Sequence, residues 1–92
     1  MYYVYILKCS DFSYYTGITN DLDRRLAEHE SGIIHGYTST RLPVKLVYSQ
    51  EFSDVNRAIE FEKQVKGWSS AKKKALIDND IMLLKKLSNS SK

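Results

Sequence analysis

Five residues in this chain carry chemistry that packing alone does not ask for: Tyr5, Tyr15, Arg25, His29 and Glu62. Glu62 is the most pointed of them. Around the stretch from Ala58 to Lys66, helical spacing places Val55, Ala58, Ile59, Phe61 and Val65 in one apolar stripe. Glu62 follows Ala58 by one turn and Val55 by two, so it lies on the side meant for the core. A carboxylate there is costly to desolvate unless it meets a cation, a metal or a set of donors. Glu60 points the other way and reads as solvated surface. On an earlier helical segment, Arg25 and His29 stand one turn apart on the flank of the Leu22 and Leu26 pair. Asp23, Arg24, Glu28 and Glu30 of that segment turn toward solvent.

These residue types suit hydrolysis of a phosphodiester. A buried carboxylate can hold one divalent ion such as Mg²⁺, which prefers oxygen ligands and keeps most of its waters. Such an ion polarises a phosphoryl oxygen and stabilises the leaving group. Arg25 can pair with phosphate oxygens and offset charge that develops in the transition state. A tyrosine hydroxyl beside a metal and an arginine can serve as general base on water. His29 could accept a proton or donate to phosphate. Each residue also has a plainer reading. Tyr5 and Tyr15 could be sheet tyrosines with satisfied hydroxyls, and Arg25 the structural ion-pair partner of Glu62. His29 could simply pack at a helix end. His29 and His35 form no zinc motif with anything nearby.

The elements that must position these side chains can be read in order. Residues 2–9 are β-branched and aromatic, Ser10, Asp11 and Ser13 supply turn chemistry, and 14–19 form a second strand. The pair reads as a β-hairpin, with Tyr3, Tyr5 and Leu7 on one face of the first strand. Tyr15 and Gly17 share a face of the second. Gly17 within a strand suggests that a helix or ligand approaches the backbone, or that the strand bulges. Thr19, Asn20 and Asp21 offer caps for a helix over 21–31 that stops at Gly32. A long loop carries Gly36 and Pro43 to a third strand at 44–51. Ser53 or Asp54 caps a helix at 54–66, Gly67 ends it, and shorter helices follow at 70–77 and 80–87. The predicted architecture is α+β: a three-stranded antiparallel sheet flanked by helices, one domain over 1–87 with a polar tail at 88–92.

At 92 residues one modest core is the limit. No run approaches the length of a membrane span, the N-terminus lacks a signal-peptide layout, and the single Cys9 builds no disulfide. A cytoplasmic protein is the expectation, and Cys9 reads as a buried, inert thiol. Net charge is +3, but its distribution says more. Arg57, Lys63, Lys66, Lys72, Lys73 and Lys74 stand against only Glu60 and Glu62 in that segment. A one-sided basic surface suits nucleic acid; a solvated helix face is the alternative. Trp68 in the same segment is either a stacking platform for a base or core filler.

The ordered set of short motifs resembles the GIY-YIG nuclease domain over residues 2 to about 77. It runs through Val4-Tyr5-Ile6, Tyr15-Thr16-Gly17, Arg25, His29, and Ala58 with Glu62 four residues on. The likeness is nearest to small stand-alone bacterial members, through Tyr37-Thr38, Arg41-x-Pro43-Val44 and the run from Glu62 to Ser69. The resemblance implies a metal-dependent endonuclease acting on DNA, or less expectedly RNA, in one hydrolytic step, as in DNA repair. It implies Tyr5, Tyr15, Arg25, His29 and Glu62 as catalytic residues, Glu62 as ligand to Mg²⁺ or Mn²⁺, and Gly17 as the structural glycine. Lys63, Lys66, Trp68 and Lys72 are then the expected substrate contacts. The first motif lacks its glycine, reading Tyr3-Val4-Tyr5, and the asparagine of many members is absent around Trp68 to Ala71. With no separate DNA-binding domain expected, selectivity would come from substrate structure or a protein partner. The alternative is a non-catalytic nucleic-acid-binding module on the same fold.

Overall fold

The frame of the molecule is a three-stranded antiparallel sheet with β1 (Tyr2–Lys8) at its centre, between β2 (Tyr14–Thr19) and β3 (Lys45–Phe52). The computed structural model describes residues 1–89. Among the described residues four helices complete it: α1 (Leu22–Ser31), α2 (Val55–Lys66), α3 (Ser70–Ile77) and α4 (Ile81–Asn89). This is the expected α+β arrangement, with strand and helix ends within one or two residues of their predicted places. Helix α4 takes in Ser88 and Asn89, two residues beyond the end the sequence predicts; residues 90–92 of the expected tail lie outside the described residues.

Central position explains the composition of β1. A strand covered on both faces must be apolar at every position, not at alternate ones. Val4, Tyr5, Ile6 and Leu7 are accordingly all buried. Alternation puts Tyr3, Tyr5 and Leu7 on one face, where Leu26 of α1 and Tyr15 pack around Leu7, Cys9 and Val44. Tyr2, Val4 and Ile6 share the opposite face. Val55 and Ile59 at the start of α2 line a shallow groove together with Tyr2 and Ile18. Cys9 is a free, buried thiol, as expected.

Caps fix where the helices begin. The carboxylates of Asp21, Asp54 and Asp80 accept from the amides of Arg24, Asn56 and Leu83, and the Ser69 hydroxyl accepts from that of Lys72. Gly32 closes α1 in the left-handed conformation, at φ 77°. The loop that follows is pinned by Arg41. Its Nε donates to Asp11 Oδ2 at 2.9 Å and its guanidinium donates to the Tyr37 carbonyl at 2.8 Å while lying over the Tyr37 ring. The long loop is thereby tied to the β1–β2 turn. No helix among the described residues is long and apolar enough to cross a membrane.

Candidate active site

The first functional side chain is set by strand pairing. Tyr5 lies opposite Gly17 in the β1–β2 register, and its ring lies across the glycine. A methyl at position 17 would come within 2.8 Å of Tyr5 Cε1. The close approach that a glycine in this strand suggested is therefore made by a tyrosine of the neighbouring strand, not by a helix or ligand. Leu7 pairs with Tyr15 on the same face, which brings the two tyrosine rings to 6.3 Å between centroids.

Helix α1 supplies the next two. His29 is 1% exposed and packs against both tyrosines, its ring centroid 5.1 Å from that of Tyr15. Its Nε2 hydrogen-bonds the Tyr5 hydroxyl at 2.9 Å and its Nδ1 bonds Thr38 Oγ1, also at 2.9 Å. With both ring nitrogens engaged in the interior, His29 does not face a substrate; its reach is to Tyr5. Burial, and then the charge of Arg25, push its pKa below the usual histidine value, so the ring is neutral near pH 7. Burial likewise pushes the Tyr5 hydroxyl up, against the lowering effect of the Arg25 guanidinium beside it; the Glu62 charge adds a smaller upward push.

Arg25 stands one turn before His29. Its guanidinium reaches Glu28 Oε1 at 3.4 Å, and its Nε is enclosed with no hydrogen-bond partner among the described residues. Glu28, read from sequence as solvent-facing, is half-buried because it serves Arg24 as well as Arg25. The ion pair between Arg25 and Glu62 that a purely structural reading called for is not formed. Glu62 pairs instead with Lys66, one turn further along α2, Nζ to Oε2 at 2.8 Å. The i,i+4 spacing of Glu62 and Lys66 is the signal for this pair that the sequence carries.

Glu62 is 8% exposed, between Ala58 and Val65 on the buried side of α2, as the apolar stripe predicted. Helix α2 packs on β1 and β2, which brings Glu62 within electrostatic reach of Tyr5 and Lys66 within reach of Tyr15. The face is thus one site: Tyr5, Tyr15 and Arg25 gathered around it, His29 behind Tyr5, and Glu62 at its α2 edge. Tyr15 continues outward into a stack with Tyr37, at 6.2 Å and 29°, and the Arg41 guanidinium lies over the Tyr37 ring at 3.9 Å.

The expected substrate contacts are less uniform. Lys63 is exposed. Lys66 is held by Glu62, and Lys72 lies over the Trp68 ring at 4.3 Å. Trp68 is half-buried in an apolar groove with Ile81, Leu84, Lys85 and Ser88, so packing accounts for much of its surface. Sequence reasoning gave no place in the site to Thr38 and counted Lys73 only as one charge of the basic surface. Thr38 is buried behind His29, placed there by an irregular loop whose path no periodicity encodes. Lys73 has a half-buried amine whose pKa is lowered by burial and then by the nearby charge of Lys66.

A metal on Glu62 can be tested against the donors present. Among the described residues no three histidines, cysteines or carboxylates converge into a closed cage. A lone, nearly buried carboxylate whose Oε2 already holds an ammonium suits a cation, and its hard oxygens suit Mg²⁺ or Mn²⁺ retaining most of its waters. The residues fit a loosely held ion.

Fold and site together define a class, and comparison with known proteins identifies it. The chain belongs to the GIY-YIG catalytic domain family, whose model matches residues 1–75. It is a family of nucleases acting on nucleic acid. A UPF0213 protein of Natronomonas pharaonis is 40% identical over 86% of this chain and 93% of its own length. The UPF0213 protein YsiG of Lactococcus lactis is 48% identical over 88% of this chain and 79% of its own. Among solved structures, the chain is similar to the solution NMR structure of a UPF0213 protein from Bacillus halodurans. That one is 44% identical, with TM-score 0.56 over 85% of this chain and 84% of the other. A second solution NMR structure, of a protein from E. faecalis, is 32% identical with TM-score 0.61, over 88% of this chain and 86% of the other.

Proposed function

We propose that the protein is a divalent-metal-dependent endonuclease hydrolysing phosphodiester bonds in DNA, with RNA the less favoured polymer and Mg²⁺ or Mn²⁺ held by Glu62. One observation carries the reading. A buried hydrogen-bonded chain, Thr38–His29–Tyr5, ends at a hydroxyl beside the Arg25 guanidinium and within reach of Glu62. The neutral imidazole behind Tyr5 gives a proton-accepting hydroxyl somewhere to pass its own proton.

In this reading the attacking water gives its proton to the Tyr5 oxygen as Tyr5 passes its own to His29 Nε2. The Nδ1–H of His29 donates to Thr38 Oγ1 and so holds the tautomer that leaves Nε2 free to accept. No free phenolate is required, which answers the raised pKa of Tyr5. His29 thus serves catalysis through Tyr5 and does not touch phosphate. Arg25, loosely paired and with an unused Nε, turns to the phosphate oxygens. Tyr15, half-buried at the mouth, donates a hydrogen bond to the phosphate. A divalent ion on Glu62 would supply charge stabilisation at the phosphoryl group and leaving oxygen. Lys63 and Lys72 follow the strand, whose branched or single-stranded structure, or a protein partner, provides selectivity. A role in DNA repair within the cytoplasm accords with such a substrate.

Purified protein is to be incubated with end-labelled branched, nicked and single-stranded DNA and with RNA, in Mn²⁺. Cleavage is expected, lost in Glu62→Ala and reduced roughly 10²-fold or more in Tyr5→Phe. Cleavage that survives Glu62→Ala overturns the proposal. The Glu62–Lys66 ion pair favours a second reading, a binding module with no cleavage. It predicts salt-dependent nucleic-acid affinity untouched by either substitution.

A further inference from the structure

Glu62 already holds a cation, and that cation is part of the chain. Lys66 Nζ sits 2.8 Å from Glu62 Oε2; the carboxylate side chain is 11% exposed, the lysine side chain 55%. The pair is therefore asymmetric. The acid is fixed in the wall of α2, while the ammonium lies at the mouth on a flexible four-carbon stem that can swing into solvent. An ammonium and a divalent ion cannot both occupy that oxygen, since like charges in such contact repel strongly even at an intermediate dielectric. The Lys73 amine from α3 is near enough to feel the charge of Lys66 and makes no ion pair with a described residue. A released Lys66 would face Lys73 as one unpaired cation beside another, an arrangement that an anion relieves. Tyr15 borders the same space.

We infer that Lys66 is the resident counter-ion of Glu62, that a divalent metal must displace it, and that the displaced Lys66 joins Lys73 in gripping a phosphate of the strand. Metal and nucleic acid then bind with positive coupling, each making the other's site, and linkage requires the enhancement to be equal in both directions. The inference rests on the proposed role of Glu62 as metal ligand and adds the order in which the site is loaded.

The test is binding, not turnover. Free Mn²⁺ is followed by electron paramagnetic resonance in titrations of wild-type protein, Lys66→Gln and Lys73→Gln. Each is run alone and with a short single-stranded phosphorothioate DNA that resists cleavage. Lys66→Gln is expected to bind Mn²⁺ alone roughly threefold to tenfold more tightly than wild type, the worth of a partly exposed ion pair removed as competitor. The oligonucleotide should tighten Mn²⁺ binding to wild type and do so less in both variants. In parallel, the ¹⁵Nζ resonance of Lys66 should shift when Mg²⁺ is added to wild type. Mn²⁺ affinity unchanged or weakened by Lys66→Gln, with binding itself intact, overturns this inference and leaves the nuclease reading standing. No Mn²⁺ binding by wild type or Lys66→Gln, with or without oligonucleotide, overturns both. Because Lys66 lies at the surface, its substitution tests the site and not the fold; matching unfolding curves for the two proteins check this.

Discussion

Burial keeps the His29 imidazole neutral at pH values where a free histidine takes up a proton, and that difference is a stability term as well as a mechanistic one. The unfolded chain protonates this side chain around the ordinary histidine value of 6.5, while the folded chain does so only at lower pH. Between those values the unfolded state binds more protons, so stability is fully present above about 6.5 and declines as pH falls toward the depressed value. Urea unfolding at pH 7.5 and 5.5 should show the loss, and His29→Gln should flatten it. If proton transfer from Tyr5 to His29 operates, nuclease activity should fall over the same acid limb. Thr38 adds a finer test. Thr38→Val keeps the shape but strands the buried Nδ1, at a cost of about 1–3 kcal/mol, whereas Thr38→Ser keeps the hydroxyl. The valine variant should lose stability and activity together, and the serine variant should restore most of both. Of this buried chain, Tyr5 and His29 were legible from pattern, since strand alternation and helical spacing each point a side chain inward. Thr38 was not, because a residue in an irregular loop has no period to betray where it points.

At the level of elements, the β1–β2 pair shows how local register creates the site. Gly17 lacks a side chain because the Tyr5 ring occupies the space above it. In Gly17→Ala the methyl would fall on a fully enclosed ring with no flexible end to move aside, so overpacking should cost about 1–3 kcal/mol. The ring would also be driven from its hydrogen bond to His29. Denaturant unfolding should report the first effect. The second should appear as a loss of activity larger than the stability loss alone explains, at a temperature where the variant remains folded. Elements with local signals were readable: three strands, and helices announced by cap candidates such as Thr19 to Asp21 and Ser53 or Asp54, fell within a residue or two of prediction, with Asp21 and Asp54 the caps the fold uses. The central place of β1 in the sheet was not read, because strand order is decided by contacts between segments far apart in sequence. Its uninterrupted apolar run from Val4 to Leu7 was the one hint of burial on two faces.

Across the whole molecule the basic face is smaller than the sequence count implies, and the difference is measurable. Of the six cations between Arg57 and Lys74, Lys66 is neutralised by Glu62 and Lys74 by Asp78 at 2.6 Å. Arg57, Lys63, Lys72 and Lys73 make no ion pair with a described residue and are the ones available to phosphates. Each phosphate neutralised on a single strand contributes a slope of roughly −0.7 in log K against log salt. Titration of a fluorescent single-stranded oligonucleotide without divalent metal, monitored by anisotropy from 50 to 200 mM salt, should therefore give a slope of roughly −2 to −3. Lys73→Gln should reduce its magnitude by roughly 0.7, while Lys74→Gln should leave it unchanged, because that charge is spent within the chain. A slope that steepens toward six contacts would mean that the intramolecular pairs open for the strand. A flat dependence would remove nucleic acid as the partner of this face.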